Sequence, residues 1–76
     1  MITLRLSELQ SKDIITLDGK LVGNIIDIVI TDGKIDNLVV EKSKFFISML
    51  SSKNEIEIKW NQIKTIGEDV ILVELT

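Results

Sequence analysis

Apolar runs separated by short polar interruptions set the pattern of this chain. Asp18-Gly19 and Asp32-Gly33 each divide two apolar runs. An Asp-Gly pair between two such runs is a strong signal for a β-hairpin, because a type I′ turn needs positive φ at both central residues. We therefore predict that a strand over 14–17 pairs with a strand that begins near Leu21. This second strand should return through Asp32-Gly33 into a third strand over 35–40.

The segment 21–30 is the longest of these predicted strands. Its even and its odd positions are both largely apolar, which is typical of a strand buried on both faces along part of its length. Gly23 interrupts the run and predicts a bend or a bulge. Asp27 is an acid within the apolar run, so it lies either at an edge or hydrogen-bonded inside the sheet. We interpret it as a structural hydrogen-bond acceptor rather than a catalytic group.

Two further strands are predicted in the second half of the chain. Residues 55–60 alternate charged and apolar positions, with Ile56, Ile58 and Trp60 on one face, the pattern of a half-exposed strand. We interpret Trp60 as an anchor of the core rather than as a platform for stacking bases. The last run, 70–75, is almost wholly apolar and should lie inside the sheet.

Helix is predicted only as short turns. Ser7 and Gln10 have the spacing of a capping box, which places one helical turn near the start of the chain. A second turn is predicted over 61–67, with Asn61 as its cap. Short strands in succession with tight turns and almost no helix indicate a small β-barrel.

Residues 43–53 fit neither a helical nor an alternating pattern. The stretch holds both phenylalanines and the second methionine of the chain. It either closes one end of the barrel as part of the core, or forms an exposed apolar patch for self-association or for a partner. The candidate interface residues are Phe45, Phe46, Ile47, Met49 and Leu50.

The amino-acid composition limits the kinds of functional site that the chain can form. The 76 residues suffice for one domain over 1–76, and the 29 Ile, Leu and Val residues supply ample material for a core. The chain has no Cys and no His, which excludes thiolate or imidazole metal sites, a Cys nucleophile and a His-based triad. The neighbouring acids Glu55 and Glu57, and likewise Glu68 and Asp69, are interpreted as solvated surface charge. We therefore assign no catalytic residue, no metal and no cofactor.

Charge and segment lengths point to a cytoplasmic protein. The net charge is −3 and Arg5 is the sole arginine, so a surface that tracks phosphates and binds nucleic acid directly is not expected. Residues 42–64 carry a local excess of lysine, which we interpret as ordinary solvated side chains. No run resembles a secretion signal, and none approaches the roughly 20 apolar residues needed to insert in a membrane.

The order and spacing of these segments resemble the PRC-barrel domain, a family named for the cytoplasmic domain of the photosynthetic reaction centre H subunit. The matching segments are Leu6-Ser7-Glu8-Leu9, Asp18-Gly19-Lys20-Leu21-Val22-Gly23-Asn24-Ile25, Asp27-Ile28-Val29-Ile30 with the turn at Asp32-Gly33 and Leu38-Val39-Val40, and the stretch 56–71. The last of these is the most specific, and the resemblance covers 4–75. Lys59 stands where many relatives have proline.

The resemblance implies an all-β barrel of about six strands with one or two short helical turns, used as a protein-binding module and not as an enzyme. Stand-alone barrels of this length are similar to archaeal proteins, some of which serve cell division by binding SepF, and to small sporulation-associated bacterial proteins. We therefore expect a homodimeric adaptor with a cell-division partner. The alternative is a ribosome-maturation and RNA-processing factor, similar to the RimM barrel, that engages a ribosomal protein.

Overall fold

One six-stranded sheet with short helical turns makes up the fold of the computed structural model, which describes residues 3, 5–44, 46 and 54–75. In chain order the elements are α1 (Leu6–Gln10), β1 (Asp13–Thr16), β2 (Leu21–Thr31), β3 (Lys34–Lys42), β4 (Glu55–Lys59), a 3-10 helix (Trp60–Gln62), β5 (Ile63–Ile66) and β6 (Val70–Val73). The prediction of a small all-β fold with about six strands and one or two short helical turns is confirmed.

The strands follow the order β4-β3-β2-β1-β6-β5 across the sheet. All neighbours are antiparallel except β1 and β6, which pair in parallel from Asp13 opposite Val70 to Thr16 opposite Val73. The last strand is therefore held between β1 and β5, inside the sheet, as its apolar sequence predicted.

One apolar cluster forms the core. Its buried members are Leu9, Ile14, Val22, Ile25, Leu38, Val40, Phe46, Ile58, Ile71 and Val73. All the strands except β5 contribute to this list, and α1 adds Leu9. Since burying one such side chain contributes about 1.5–3 kcal/mol, the stability of the domain is distributed over the whole sheet.

The turn between β2 and β3 has the predicted geometry. Asp32 has φ 53° and Gly33 has φ 75°, so both central residues lie in the left-handed region that a type I′ turn requires. Thr31 and Lys34 pair directly beside the turn. The local sequence alone therefore fixes both the position and the type of this hairpin.

The turn between β1 and β2 is a hairpin, as predicted, but the predicted type I′ geometry is wrong. Only Gly19 has positive φ, at 92°. The N–H of Gly19 donates to the carbonyl of Thr16 at 2.9 Å, and the N–H of Thr16 donates to the carbonyl of Lys20 at 2.9 Å. Three residues, 17–19, thus form the loop and only the last needs a left-handed backbone. The Thr16 hydroxyl also donates to the carboxylate of Asp18, and this hydrogen bond holds the pKa of Asp18 below its ordinary value.

Gly23 forms the predicted bulge in β2. Ile14 pairs with Gly23 while Ile15 pairs with Leu21, which leaves Val22 as the extra residue of β2. Gly23 has φ 155°, and a Cβ atom there would overlap the carbonyl oxygen of Glu41 and lie 2.8 Å from its carbonyl carbon. The close approach of β3 therefore leaves no room for any side chain at this position.

The helical turn near the start is confirmed, but its predicted cap is wrong. α1 begins after Arg5, whose carbonyl accepts hydrogen bonds from the N–H groups of Glu8 and Leu9, and no side chain caps it. Ser7 lies within the helix. Starting the helix at Leu6 places Leu6 and Leu9 one turn apart on one face, and Leu9 is buried in the core. Packing thus overrides the local capping signal.

The helical turn predicted over 61–67 is wrong beyond its first residues. The 3-10 helix ends at Gln62, whose Oε1 accepts a hydrogen bond from the N–H of Lys59 at 2.8 Å. Ile63 and Ile66 then lie in β5 and pair with β6. β-Branched residues favour this extended pairing over a helix.

Trp60 is exposed at the surface, so the prediction that it anchors the core is wrong. β4 ends at Lys59 and the chain turns there into the 3-10 helix. Trp60 therefore lies outside the strand, and the alternation of inward and outward side chains in β4 does not extend to it. Ile58 is the fully buried residue of this strand.

We predict that Gly23→Ala destabilises the domain by about 3 kcal/mol or more, because overpacking against fixed backbone is added to backbone strain. Gly19→Ala is the matched control, since a Cβ there meets open space and only the positive φ opposes it; we expect a loss of about 1–2 kcal/mol. Urea unfolding followed by circular dichroism measures both. Equal losses in the two variants would contradict the close approach at Gly23.

Candidate protein-binding surface

The hairpin of β2 and β3 continues past the strand that flanks it. β1 pairs with β2 no further than Asn24, whereas the pairing of β2 with β3 runs on to Thr31 and Lys34. Over residues 25–31, β2 therefore has β3 on one side and no strand among the described residues on the other. α1 lies beside this part of β2.

An open groove of about 330 Å³ lies between α1 and the end of the hairpin; we call it the α1–β2 groove. Its lining residues are Leu6, Leu9, Gln10, Ile26, Asp27, Ile28, Ile30 and Ile35. Six of these eight residues are Leu or Ile, and such an apolar concavity with a few polar groups is typical of binding sites.

The walls of the groove are exposed and its floor is part of the core. Leu6 is 53% exposed, Ile26 41% and Ile30 64%. Ile28 and Ile35 are half-buried and pack against the core cluster. Large apolar side chains exposed side by side around a groove mark an interaction surface more often than a free surface.

A bulge in β2 helps to shape the groove. Ile25 pairs with Val40 and Asp27 pairs with Val39, so Ile26 is an extra residue between them. Bulges of this kind redirect a side chain out of the regular alternation, which accounts for the exposure of Ile26 directly after the buried Ile25.

Asp27 has a structural hydrogen bond, as the sequence interpretation expected. Its Oδ1 accepts from the N–H of Ile28 at 2.8 Å, and its side chain is exposed at the groove rather than inside the sheet. No described Lys or Arg lies within ion-pair distance of its carboxylate.

A buried lysine ties the segment that follows α1 to the turn between β5 and β6. Lys12 is 8% exposed, and its Nζ donates to the carbonyl oxygens of Gly67 at 2.7 Å and Glu68 at 2.5 Å. The side-chain amide of Asn24 donates to the carbonyl of Lys12 at 3.2 Å and to Oδ1 of Asp13 at 3.0 Å. These bonds tie the segment between α1 and β1 both to β2 and to the turn between β5 and β6.

We predict that Lys12→Met lowers the free energy of unfolding by about 1–3 kcal/mol, because the carbonyl oxygens of Gly67 and Glu68 lose a charged donor at a partly buried site. Lys20→Met is the matched control, since Lys20 is exposed and makes only a surface ion pair with Asp18 at 3.8 Å. Its stability should stay close to that of the wild type. Thermal unfolding measures both variants, and an unchanged melting curve for Lys12→Met would contradict the role of this lysine.

The structure describes one of the five residues predicted to form an interface. Phe46 is 6% exposed and belongs to the core cluster, and its N–H donates to the carbonyl of Ser43 at 3.0 Å. Phe45, Ile47, Met49 and Leu50 lie outside the described residues. An interface formed by this segment therefore stays a prediction.

Sequence reasoning missed the α1–β2 groove, although two signals for it were present. Leu6 and Leu9 have the spacing of one helical face, and only Leu9 is buried. In addition, both faces of the predicted strand over 21–30 are largely apolar. A single small core cannot cover both faces along the whole strand, so part of this apolar surface had to stay exposed. Which half of that strand stays exposed depends on the length of β1, and the sequence of β2 does not specify that length.

The acids considered as possible reactive groups are surface residues. Glu55, Glu57, Glu68 and Asp69 are all exposed. Within the described ranges, no group of three or more acids is placed to hold a metal ion. In the same part of the chain, no helix has the length and apolar character needed to cross a membrane.

The sheet order, the single turn of α1 and the open groove define a small all-β domain with an apolar surface beside its longest hairpin. The chain belongs to the PRC-barrel domain family, whose family model matches residues 1–76. It is also similar to a protein of Bacillus subtilis (strain 168) named probable sporulation protein YlmC. The two are 38% identical over 76 residues, which span 96% of this chain and 94% of that protein. The resemblance stated from the sequence is thereby confirmed.

Proposed function

We propose that this chain is a non-enzymatic, cytoplasmic adaptor that binds a partner protein through the α1–β2 groove. The observation that carries the proposal is the exposure of Leu6, Ile26 and Ile30 around one groove of about 330 Å³. The groove is rimmed by residues of two elements that the core holds in place, so its shape is largely formed before any partner arrives.

The energetics favour a partner that covers this surface. Leu6, Ile26 and Ile30 are 41–64% exposed, so covering each of them contributes about half of the free energy of complete burial, roughly 1 kcal/mol. A stable interface needs about 800 Å² from each partner, so the groove would form the apolar centre of a larger contact. Such a centre carries most of the binding energy in protein interfaces.

The partner we propose is a cell-division protein similar to SepF. The family membership supports a binding module, since the resemblance described above implies this use for stand-alone barrels. The Bacillus relative bears a name that refers to sporulation, and that name supports a role in a cellular process of this kind rather than in metabolism.

We predict that Ile30→Lys abolishes capture of the partner from native extract. Ile30 is the most exposed apolar residue of the groove, so a lysine there leaves the core intact and places a charge in the interface. Leu17→Lys is the matched control, because Leu17 is 54% exposed but lies in the β1–β2 turn, away from the groove. Affinity purification with quantitative mass spectrometry compares the two with the wild type.

The outcomes separate the possible functions. A division protein that is recovered by the wild type and Leu17→Lys but not by Ile30→Lys supports the proposal. A ribosomal protein with the same dependence replaces it with the ribosome-maturation alternative. Partners recovered equally by Ile30→Lys and the wild type would contradict binding through the groove. Circular dichroism must show the same fold for all three chains.

We further propose that the adaptor is a homodimer that associates through the segment 45–50, with Phe45, Ile47, Met49 and Leu50 as the contact residues, since Phe46 belongs to the core. The apolar character of this segment supports the proposal, and the burial of Phe46 decides which variant can test it. Phe45→Ser should give a folded monomer in sedimentation velocity. Phe46→Ser should instead lose stability, by the roughly 3–5 kcal/mol typical of a truncated core Phe. A dimer that persists in Phe45→Ser would contradict this interface.

A further inference from the structure

Some backbone groups of β2 point to the side of the strand that has no neighbouring strand among the described residues. Antiparallel pairing uses the backbone groups of alternate residues, and those of the residues between point to the other side. The N–H of Ile28 donates to the side chain of Asp27, so Ile28 is one of the residues whose backbone groups face away from β3. Ile30 lies two residues further along, and the register shift between Val29 and Ile30 leaves its extra residue, Asp36, on β3. The alternation of β2 therefore continues, and the backbone groups of Ile30 face the same way as those of Ile28.

These backbone groups form a short free edge. β1 ends its pairing at Asn24, and among the described residues no backbone bond reaches the open side of 26–31. The carbonyl of Ile28 and both backbone groups of Ile30 are therefore open to a further strand. Such an edge is a ready template for pairing with another chain, and here it lies along the α1–β2 groove.

Charge around the groove is the second observation. Four acids against two bases lie on α1 and the end of the hairpin or next to them: Glu8, Asp27, Asp32 and Asp36 against Arg5 and Lys34. Asp27 is the charged residue that lines the groove itself, and its carboxylate has no ion-pair partner among the described residues. A cationic side chain would complement this surface.

The free backbone edge and the acidic charge together indicate which kind of molecule binds in the groove. A second copy related by a two-fold axis would place the same acidic surface against itself. A partner helix would satisfy its own backbone and leave the groups of Ile28 and Ile30 buried without partners, which is costly. An extended, basic segment avoids both penalties.

We propose that the α1–β2 groove binds an extended segment of a partner protein that adds as a strand to β2 at Ile28 and Ile30. Alternate apolar side chains of the segment pack between α1 and the hairpin, and a Lys or Arg lies beside Asp27. This inference rests on the proposed function, because it names the kind of segment that an adaptor would bind there.

The test uses fluorescein-labelled peptides of about eight residues, the length of an ordinary strand, with the full 76-residue chain. The first alternates Val and Lys, and the second alternates Val and Glu. Two further Val-Lys peptides are N-methylated, one at every Val and the other at every Lys. Fluorescence anisotropy gives the affinities, and nitrogen-15 NMR of the chain locates the bound peptide.

We expect the Val-Lys peptide to bind at least about tenfold more tightly than the Val-Glu peptide, since like charges at an interface are strongly unfavourable. One of the two methylated peptides should lose binding and the other should keep it, because a strand pairs with its neighbour through alternate residues. The amide of Ile30 should shift and become protected from exchange, whereas the amide of Gly19 should not.

Two charge variants complete the test. Asp27→Asn keeps an oxygen that can accept from Ile28 but removes the charge, so we expect the Val-Lys peptide to bind about two- to fivefold more weakly. Asp18→Asn, in the distant β1–β2 turn, should leave its affinity unchanged. Equal effects of the two variants would overturn the role of Asp27.

Other results overturn strand addition itself. Strand addition is wrong if both methylated peptides bind equally well, or if the Val-Glu peptide binds as tightly as the Val-Lys peptide. It is also wrong if the NMR shifts centre on Gly19, or if no peptide binds. If one of these is found while Ile30→Lys still abolishes capture of the partner, the adaptor proposal stands without strand addition. If Ile30→Lys keeps the partner, the proposed function fails whatever the peptides do.

Discussion

The parallel pairing of β1 with β6 is the interaction on which the rest of the fold depends. It joins a strand near the start of the chain to the last strand, with Ile14 opposite Ile71 and both side chains fully buried. Without it, the β5–β6 hairpin would have no neighbour in the sheet, since among the described residues β6 pairs with β1 and β5 alone. Because this contact spans most of the chain, it is also the one whose formation costs the most loop entropy.

The groove is a consequence of the same arrangement. β1 is only four residues long, whereas β2 has eleven, so β1 flanks residues 21–24 of β2 and leaves 25–31 paired on one side only, with β3. The segment before β1 forms α1 and lies over that part, although one helical turn is too short to cover it completely. The result is an apolar surface held by the core, along the part of β2 that has no strand beside it among the described residues on one side.

Local signals in the sequence determine some of these features and leave others open. Asp32-Gly33 specifies its turn because positive φ is an intrinsic property of those two residues, and Gly23 specifies a bulge because only glycine fits under β3. The partner of β6, the exposure of Trp60 and the start of α1 are decided by contacts with distant residues, so no local pattern contains them. For the same reason, the individual Ile and Leu residues around the groove could be recognised as apolar, but their meeting at one surface could not.

Lys12 gives the domain an internal reporter. Its amine donates to two carbonyl groups of the turn between β5 and β6, and the residue is 8% exposed. A separation of that turn from β1 breaks these bonds and exposes the amine. Reagents that acylate lysine should therefore modify Lys12 at a rate set by this separation, while exposed lysines such as Lys20 and Lys64 react directly. The modification rate of a single side chain then measures how often the two ends of the chain part in the folded protein, which is a property of local opening and not of global unfolding.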